Sequence, residues 1–151
     1  MNEMIVIQNV SNMNSLPAKK LLIEWASKAL GEDHQGAEIT IRIVDELEGQ
    51  SLNKKWRKKK SATNVLSFPV GKTLKQAPKF LGDIVICAPV VEREAYEQDK
   101  TFDAHWAHLI IHAVLHLQGY DHDSNKRAEV MESKEIKILK NIGYTNPYEQ
   151  K

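Results

Sequence analysis

The segment HWAHLIIHAVLHLQGYDH, residues 105–122, contains five of the six histidines in this 151-residue chain. Isoleucine, valine and leucine occupy most positions between the histidines, a pattern that predicts a buried helix with one histidine-bearing face. This helix is predicted from Phe102 to Gln118, and Gly119 ends it. The rest of the fold is therefore expected to pack around this helix.

The spacing of three of these histidines is typical of a metal site. His112 and His116 are one helical turn apart and point within roughly 40° of each other, so both imidazoles can bind one ion. Gly119 can reverse the chain and bring back His122, which completes the pattern H-x-x-x-H-x-x-G-x-x-H. His105 and His108 lie on the same face, where they can contact the ligands or the substrate or simply be solvated.

Three neutral imidazoles favour a catalytic zinc ion with an open fourth position, which lowers the pKa of bound water to about 7. Zinc peptidases with this spacing carry a glutamate after the first histidine as general base, but this chain has Ala113 there. Asp121 and Asp123 flank His122, where they can orient an imidazole, handle a proton or serve as turn and cap residues. Three imidazoles also accept other divalent transition metals.

The remaining sequence predicts four strands and four further helices. Strands are expected at residues 4–10, 37–44, 64–70 and 84–87, with a loop over 71–82. Four further helix starts are predicted. Ser15 is the N-cap of a helix that ends at Gly31, and Asp45 and Glu48 form a capping box. Pro89 opens another helix, and Ser124 caps the last one. We therefore expect one α+β domain over residues 1–151, a mixed sheet of about four strands with packed helices.

Composition excludes several classes of protein. The single cysteine, Cys87, cannot form an intramolecular disulfide, which favours the reducing cytoplasm, and no apolar run is long enough to span a membrane. The formal net charge is only +1, so a nucleic-acid partner needs a local basic patch. Residues 54–60 form such a patch, because six of the seven are basic. They are Lys54, Lys55, Arg57, Lys58, Lys59 and Lys60, and they surround Trp56.

Several motifs together resemble those of the bacterial YbeY family. They are LNKKWRKKKSATNVLSFPV, LGDIVICAPVVEREA, HAVLHLQGYDH and the ending IGYTNPY, in the family's order. The resemblance implies a zincin-like fold and a metal-dependent endoribonuclease specific for single-stranded RNA, acting in small-subunit (16S) ribosomal RNA 3′-end maturation and ribosome quality control. It also implies zinc ligands at His112, His116 and His122 and a functional arginine at Arg57.

On this basis we expect zinc-assisted cleavage of RNA phosphodiester bonds, with the ribosome and its small-subunit RNA as partners. Arg57 would bind phosphate oxygens, and His108 is the candidate for assisting proton transfer. Two alternatives stay open from the sequence: a non-enzymatic ribosome-assembly factor with a structural metal, and a metallopeptidase. Asp121 or a further histidine as a fourth ligand would favour a structural metal.

Overall fold

The computed structural model describes residues 4–31, 34, 36–57, 64–69 and 80–148, which form four strands and five helices. This agrees with the predicted α+β class and strand number. In chain order the elements are β1 Met4–Asn9, α1 Lys19–Ala29, β2 Glu38–Val44, α2 Glu46–Arg57, β3 Val65–Pro69, β4 Phe80–Cys87, α3 Ala88–Glu97, α4 Phe102–Leu117 and α5 Asn125–Asn141.

The strands form one mixed sheet in the order β1-β2-β4-β3. Strands β1, β2 and β4 are parallel, and β3 pairs antiparallel with β4 at the edge. Parallel neighbours need a crossover connection, and α1 supplies it between β1 and β2. The predicted mixed sheet with packed helices is confirmed.

Alternation along β2 sets the two faces of the sheet. Ile39, Ile41 and Ile43 are buried in the main core cluster, which also contains residues of α1, α4 and α5. Val44 and Val85 belong to a second, smaller cluster with residues of β3 and α3. Because α4 contributes most of its length to the main cluster, the sheet holds this helix firmly in place.

Gly82 in β4 allows the carboxyl end of α4 to approach the sheet. Its φ is +146°, and a Cβ built there would lie 2.3 Å from the carbonyl oxygen of Phe68 and 3.0 Å from Leu117 Cδ2. No larger residue fits without movement of the backbone. The histidine-bearing end of α4 therefore lies directly against β3 and β4.

The predicted start of α1 and the predicted capping box of α2 are wrong, whereas α2 itself begins at Glu46, directly after Asp45, as predicted. Helix α1 begins at Lys19 after Ala18 as N-cap, without a side-chain cap, so Ser15 does not serve as N-cap. The carboxylate of Asp45 accepts hydrogen bonds from the Asn12 backbone instead of forming a capping box, and Glu48 pairs with Arg42 at 2.6 Å. At α2 these contacts replace the local hydrogen bonds that the capping-box motif favours.

Strand β4 begins at Phe80, earlier than the predicted Ile84. Phe80 pairs with β2, and Leu81 is the extra residue of a β-bulge beside that strand. Of the predicted loop over 71–82, residues 71–79 lie outside the described chain. In the part of the protein that the structure describes, no helix is both long and apolar enough to cross a membrane.

Candidate metal centre

Helix α4 carries the candidate site on one face. The Thr101 side chain caps the helix by accepting a hydrogen bond from the Ala104 backbone. His108, His112 and His116 follow one another at intervals of one turn, and all three are partly exposed. The other faces of α4 are buried, so these three side chains form the histidine face of the helix.

His112 and His122 meet at this face. Their Nε2 atoms are 3.1 Å apart, and two nitrogens that bind one zinc ion at roughly 2.0–2.1 Å in tetrahedral geometry lie about 3.3 Å apart. The rings are inclined by 14° with centroids 4.9 Å apart.

The buried carboxylate of Glu135, on α5, determines which nitrogen of His112 faces this point. Glu135 Oε2 lies 2.6 Å from His112 Nδ1, and a carboxylate only accepts, so Nδ1–H is the donor. The lone pair of His112 is then on Nε2, which faces His122. A carboxylate that orients a ligating imidazole in this way is common in zinc sites.

Glu135 is fully buried and accepts hydrogen bonds from three donors. His108 Nε2 lies 2.8 Å from its Oε1, the Tyr148 hydroxyl also donates to Oε1, and His112 occupies Oε2. Burial alone raises the pKa of this carboxyl, but the hydrogen bonds from His108, His112 and Tyr148 and the electrostatic attraction to His112 outweigh burial and lower its pKa to about 2. The carboxylate is therefore ionised at neutral pH.

His116 is oriented by backbone geometry. Its Nδ1 lies 3.0 Å from the carbonyl oxygen of Tyr120, to which it donates, so its lone pair is also on Nε2. Gly119 between them adopts a φ of +105°, and this left-handed residue reverses the chain after α4. The same turn brings His122 back to His112, as the sequence spacing predicts.

A second set of possible ligands overlaps the first. His108, His112 and Glu135 have ligand atoms within 4.8 Å of one another and could hold a metal ion, and this group contains neither His116 nor His122. Its contacts of 2.6 and 2.8 Å are hydrogen-bond lengths, shorter than the spacing of about 3.3 Å between two atoms that share a zinc ion. The 3.1 Å between His112 Nε2 and His122 Nε2 is also a hydrogen-bond length, and among the described residues His112, His116 and His122 do not form a group with all ligand atoms within 4.8 Å of one another.

The other polar residues near the site have structural contacts. His105 is buried, and its Nε2 lies 3.0 Å from Glu94, which also accepts a hydrogen bond from Asn64. Asp121 accepts from the Asp123 backbone and pairs with Arg127 at 3.4 Å. These contacts support the turn interpretation of Asp121.

The predicted phosphate-binding residues are only partly described. Arg57 is the last residue of α2, while its side chain and residues Lys58, Lys59 and Lys60 lie outside the described part of the protein. Lys54 and Lys55 are exposed on α2. The role assigned to Arg57 stays a prediction.

Glu135 and Tyr148 were not predicted as site residues. A signal for Glu135 was present, because it follows Met131 by one turn and precedes Ile138 and Leu139 on the buried face of α5. A glutamate at such a position needs a buried partner. Tyr148 had no comparable signal, since its contact depends on how the chain turns back after α5.

A mixed sheet packed on a histidine-bearing helix, with a candidate metal centre on the histidine face of that helix, defines a zincin-like α+β protein. The family model described as Endoribonuclease YbeY matches residues 6–143. The chain belongs to this family.

Individual relatives agree with this assignment. Three proteins named Endoribonuclease YbeY are similar: one from Stutzerimonas stutzeri (51% identity over 140 residues, 91% of this chain and 87% of the relative), one from Pseudomonas syringae (50% over 141 residues, 92% and 84%) and one from Methylococcus capsulatus (48% over 146 residues, 97% and 95%). The solution structure of TM1509 from Thermotoga maritima has a TM-score of 0.56 and 25% identity, with coverage of 97% of this chain and 100% of that one.

Proposed function

We propose that this protein is a zinc-dependent endoribonuclease that cleaves single-stranded RNA in small-subunit ribosomal RNA maturation and ribosome quality control in the cytoplasm. Membership of the Endoribonuclease YbeY family supports the RNA substrate. The observation that carries metal dependence is the convergence of His112 Nε2 and His122 Nε2 at 3.1 Å, with Glu135 fixing the tautomer of His112.

In this proposal His112, His116 and His122 hold the ion, each through Nε2. The hydrogen bonds to Glu135 and to the Tyr120 carbonyl hold two of the imidazoles in the tautomer that binds metal. When bound, a zinc ion with an open position lowers the pKa of water and polarises a phosphoryl oxygen. Other divalent transition metals suit the same imidazoles.

The protein's own side chains supply the remaining functions. Arg57 binds non-bridging phosphate oxygens, and the lysines beside it attract the RNA backbone regardless of sequence. His108 is the proposed proton-transfer residue. It would take a proton from the attacking oxygen, and the Glu135 carboxylate, 2.8 Å from His108 Nε2, would stabilise the imidazolium that forms.

The structure disfavours the alternatives. Ala113, in the place of the peptidase glutamate, is completely buried, and the three donors to Glu135 leave no free carboxylate for a general base. His122 is exposed and the His112 side chain is 23% exposed, which suits a site that admits substrate. A structural zinc site is normally closed by four protein ligands.

The test is cleavage of an end-labelled RNA with a single-stranded 3′ extension by the zinc-loaded protein. We expect cleavage by the wild type, and loss of both bound zinc and cleavage in His116→Ala. Lys134→Ala, an exposed change on α5, is the matched control. No cleavage by wild-type protein that carries zinc would refute the enzymatic role and favour the assembly-factor alternative.

A further inference from the structure

A cavity of about 800 Å³ lies between the start of α4 and the residues that follow α5. Ala104 and His108 form part of its α4 wall, and Gly143 to Pro147 form the facing wall. Its volume is within the range of about 300–1,000 Å³ that is typical of small-molecule sites. The cavity can therefore hold a group as large as a nucleotide.

The cavity adjoins the candidate metal centre through His108. This residue lines the cavity and also contacts Glu135, and the ring centroids of His108 and His112 are only 6.2 Å apart. One nucleotide can bridge that separation. A strand with its phosphodiester at His112 would therefore place a neighbouring nucleotide beside His108, which lines the cavity.

The lining suits a neutral nucleobase better than a phosphate. Asp99 and Lys100 both line the cavity, so their opposite charges offset each other. Asn146 Oδ1 accepts a hydrogen bond from the Tyr148 backbone, which orients the amide and leaves its NH₂ group to donate. Burial raises the pKa of Tyr144, so its hydroxyl stays protonated and can also donate.

We propose that this cavity binds one unpaired nucleobase of the RNA, next to the phosphodiester at the metal centre. The inference rests on the proposed endoribonuclease function and explains why the protein would act on single-stranded and not on double-stranded RNA. A base inside the cavity cannot pair with a second strand, so a duplex must open before it fits.

The test fills the cavity without changing the histidines. Ala104→Leu adds bulk from α4 and Thr145→Trp adds it from the facing wall, so one variant suffices if the other fails to fold. The matched control is Ser133→Leu, on an exposed part of α5 away from the cavity. Bound zinc is measured in all four proteins, and we expect it to be equal.

Binding of a fluorescent single-stranded oligoribonucleotide is measured by anisotropy. The cavity variants should bind about tenfold more weakly than wild type, comparable to the loss of one base contact. In the wild type, an abasic residue at one strand position should weaken binding similarly, and in Ala104→Leu the same change should have little further effect.

Two results separate the possible failures. The cavity inference would be wrong if the wild type and both cavity variants bind RNA with equal affinity. It would also be wrong if the abasic residue weakens binding equally in wild type and Ala104→Leu. Neither result would affect the proposed function. Failure of the zinc-loaded wild type to cleave any single-stranded RNA would overturn the proposed function and this inference together.

Discussion

Replacing Glu135 with glutamine tests whether the buried carboxylate organises the candidate metal centre. The side chain of Glu135→Gln has nearly the same shape but one oxygen and one NH₂ group. His108, His112 and Tyr148 all donate to this position, so at least one donor loses its acceptor. Where the new NH₂ faces His112, it favours the tautomer with the proton on Nε2 and removes the metal-binding lone pair.

The expected loss of stability follows from the lowered pKa of Glu135. Its pKa falls from 4.5 to about 2 in the folded protein, which corresponds to about 3 kcal/mol at neutral pH. Because the folded-state pKa is the lower one, this stabilisation is complete above about pH 4.5 and decreases as the pH falls towards 2. The difference between wild type and Glu135→Gln should shrink over that interval.

The assay is urea unfolding of the metal-free protein, followed by the fluorescence of the buried Trp25 and Trp106. We expect Glu135→Gln to lower the free energy of unfolding by about 3 kcal/mol at pH 7. Zinc affinity should fall by about 10- to 100-fold. Glu129→Gln, exposed on the same helix, is the control. Wild-type stability and zinc affinity in Glu135→Gln would refute this reasoning.

Three further predictions follow from the same contacts. Tyr148→Phe removes one donor to Glu135 and should weaken zinc binding about tenfold, measured by competition with a chromophoric chelator; unchanged affinity would exclude a role for the hydroxyl. Gly82→Ala should lower the unfolding free energy by about 2 kcal/mol or more, because of its positive φ and the contact with Phe68; a wild-type thermal midpoint would contradict this. Arg57→Ala should lower kcat/KM for RNA about a hundredfold with full zinc content, and wild-type kinetics would remove Arg57 from the mechanism.

The sequence predicts best the features that depend on strict periodicity. The alternation of Ile39, Ile41 and Ile43 located β2, and the apolar repeat between the histidines located α4. The Gly119 turn was predictable because its left-handed backbone is a local requirement. The approach of His122 to His112 follows from that turn.

Features that depend on distant contacts were not predictable in the same way. Instead of forming the expected capping box, the Asp45 carboxylate accepts a hydrogen bond from the backbone of Asn12, 33 residues earlier. Glu135 and Tyr148 reach His108 from other parts of the chain, and only the apolar neighbours of Glu135 indicated that it is buried. Such pairings are decided by packing, which local sequence does not specify.

The central claim is that His112, His116 and His122 bind the metal ion, and zinc anomalous scattering from crystals of the zinc-loaded protein tests it most directly. The account predicts one peak about 2.1 Å from the Nε2 atoms of these three histidines, with Glu135 hydrogen-bonded to His112 Nδ1. A peak bonded instead to His108 and the Glu135 carboxylate, or no peak between His112 and His122, would contradict the account.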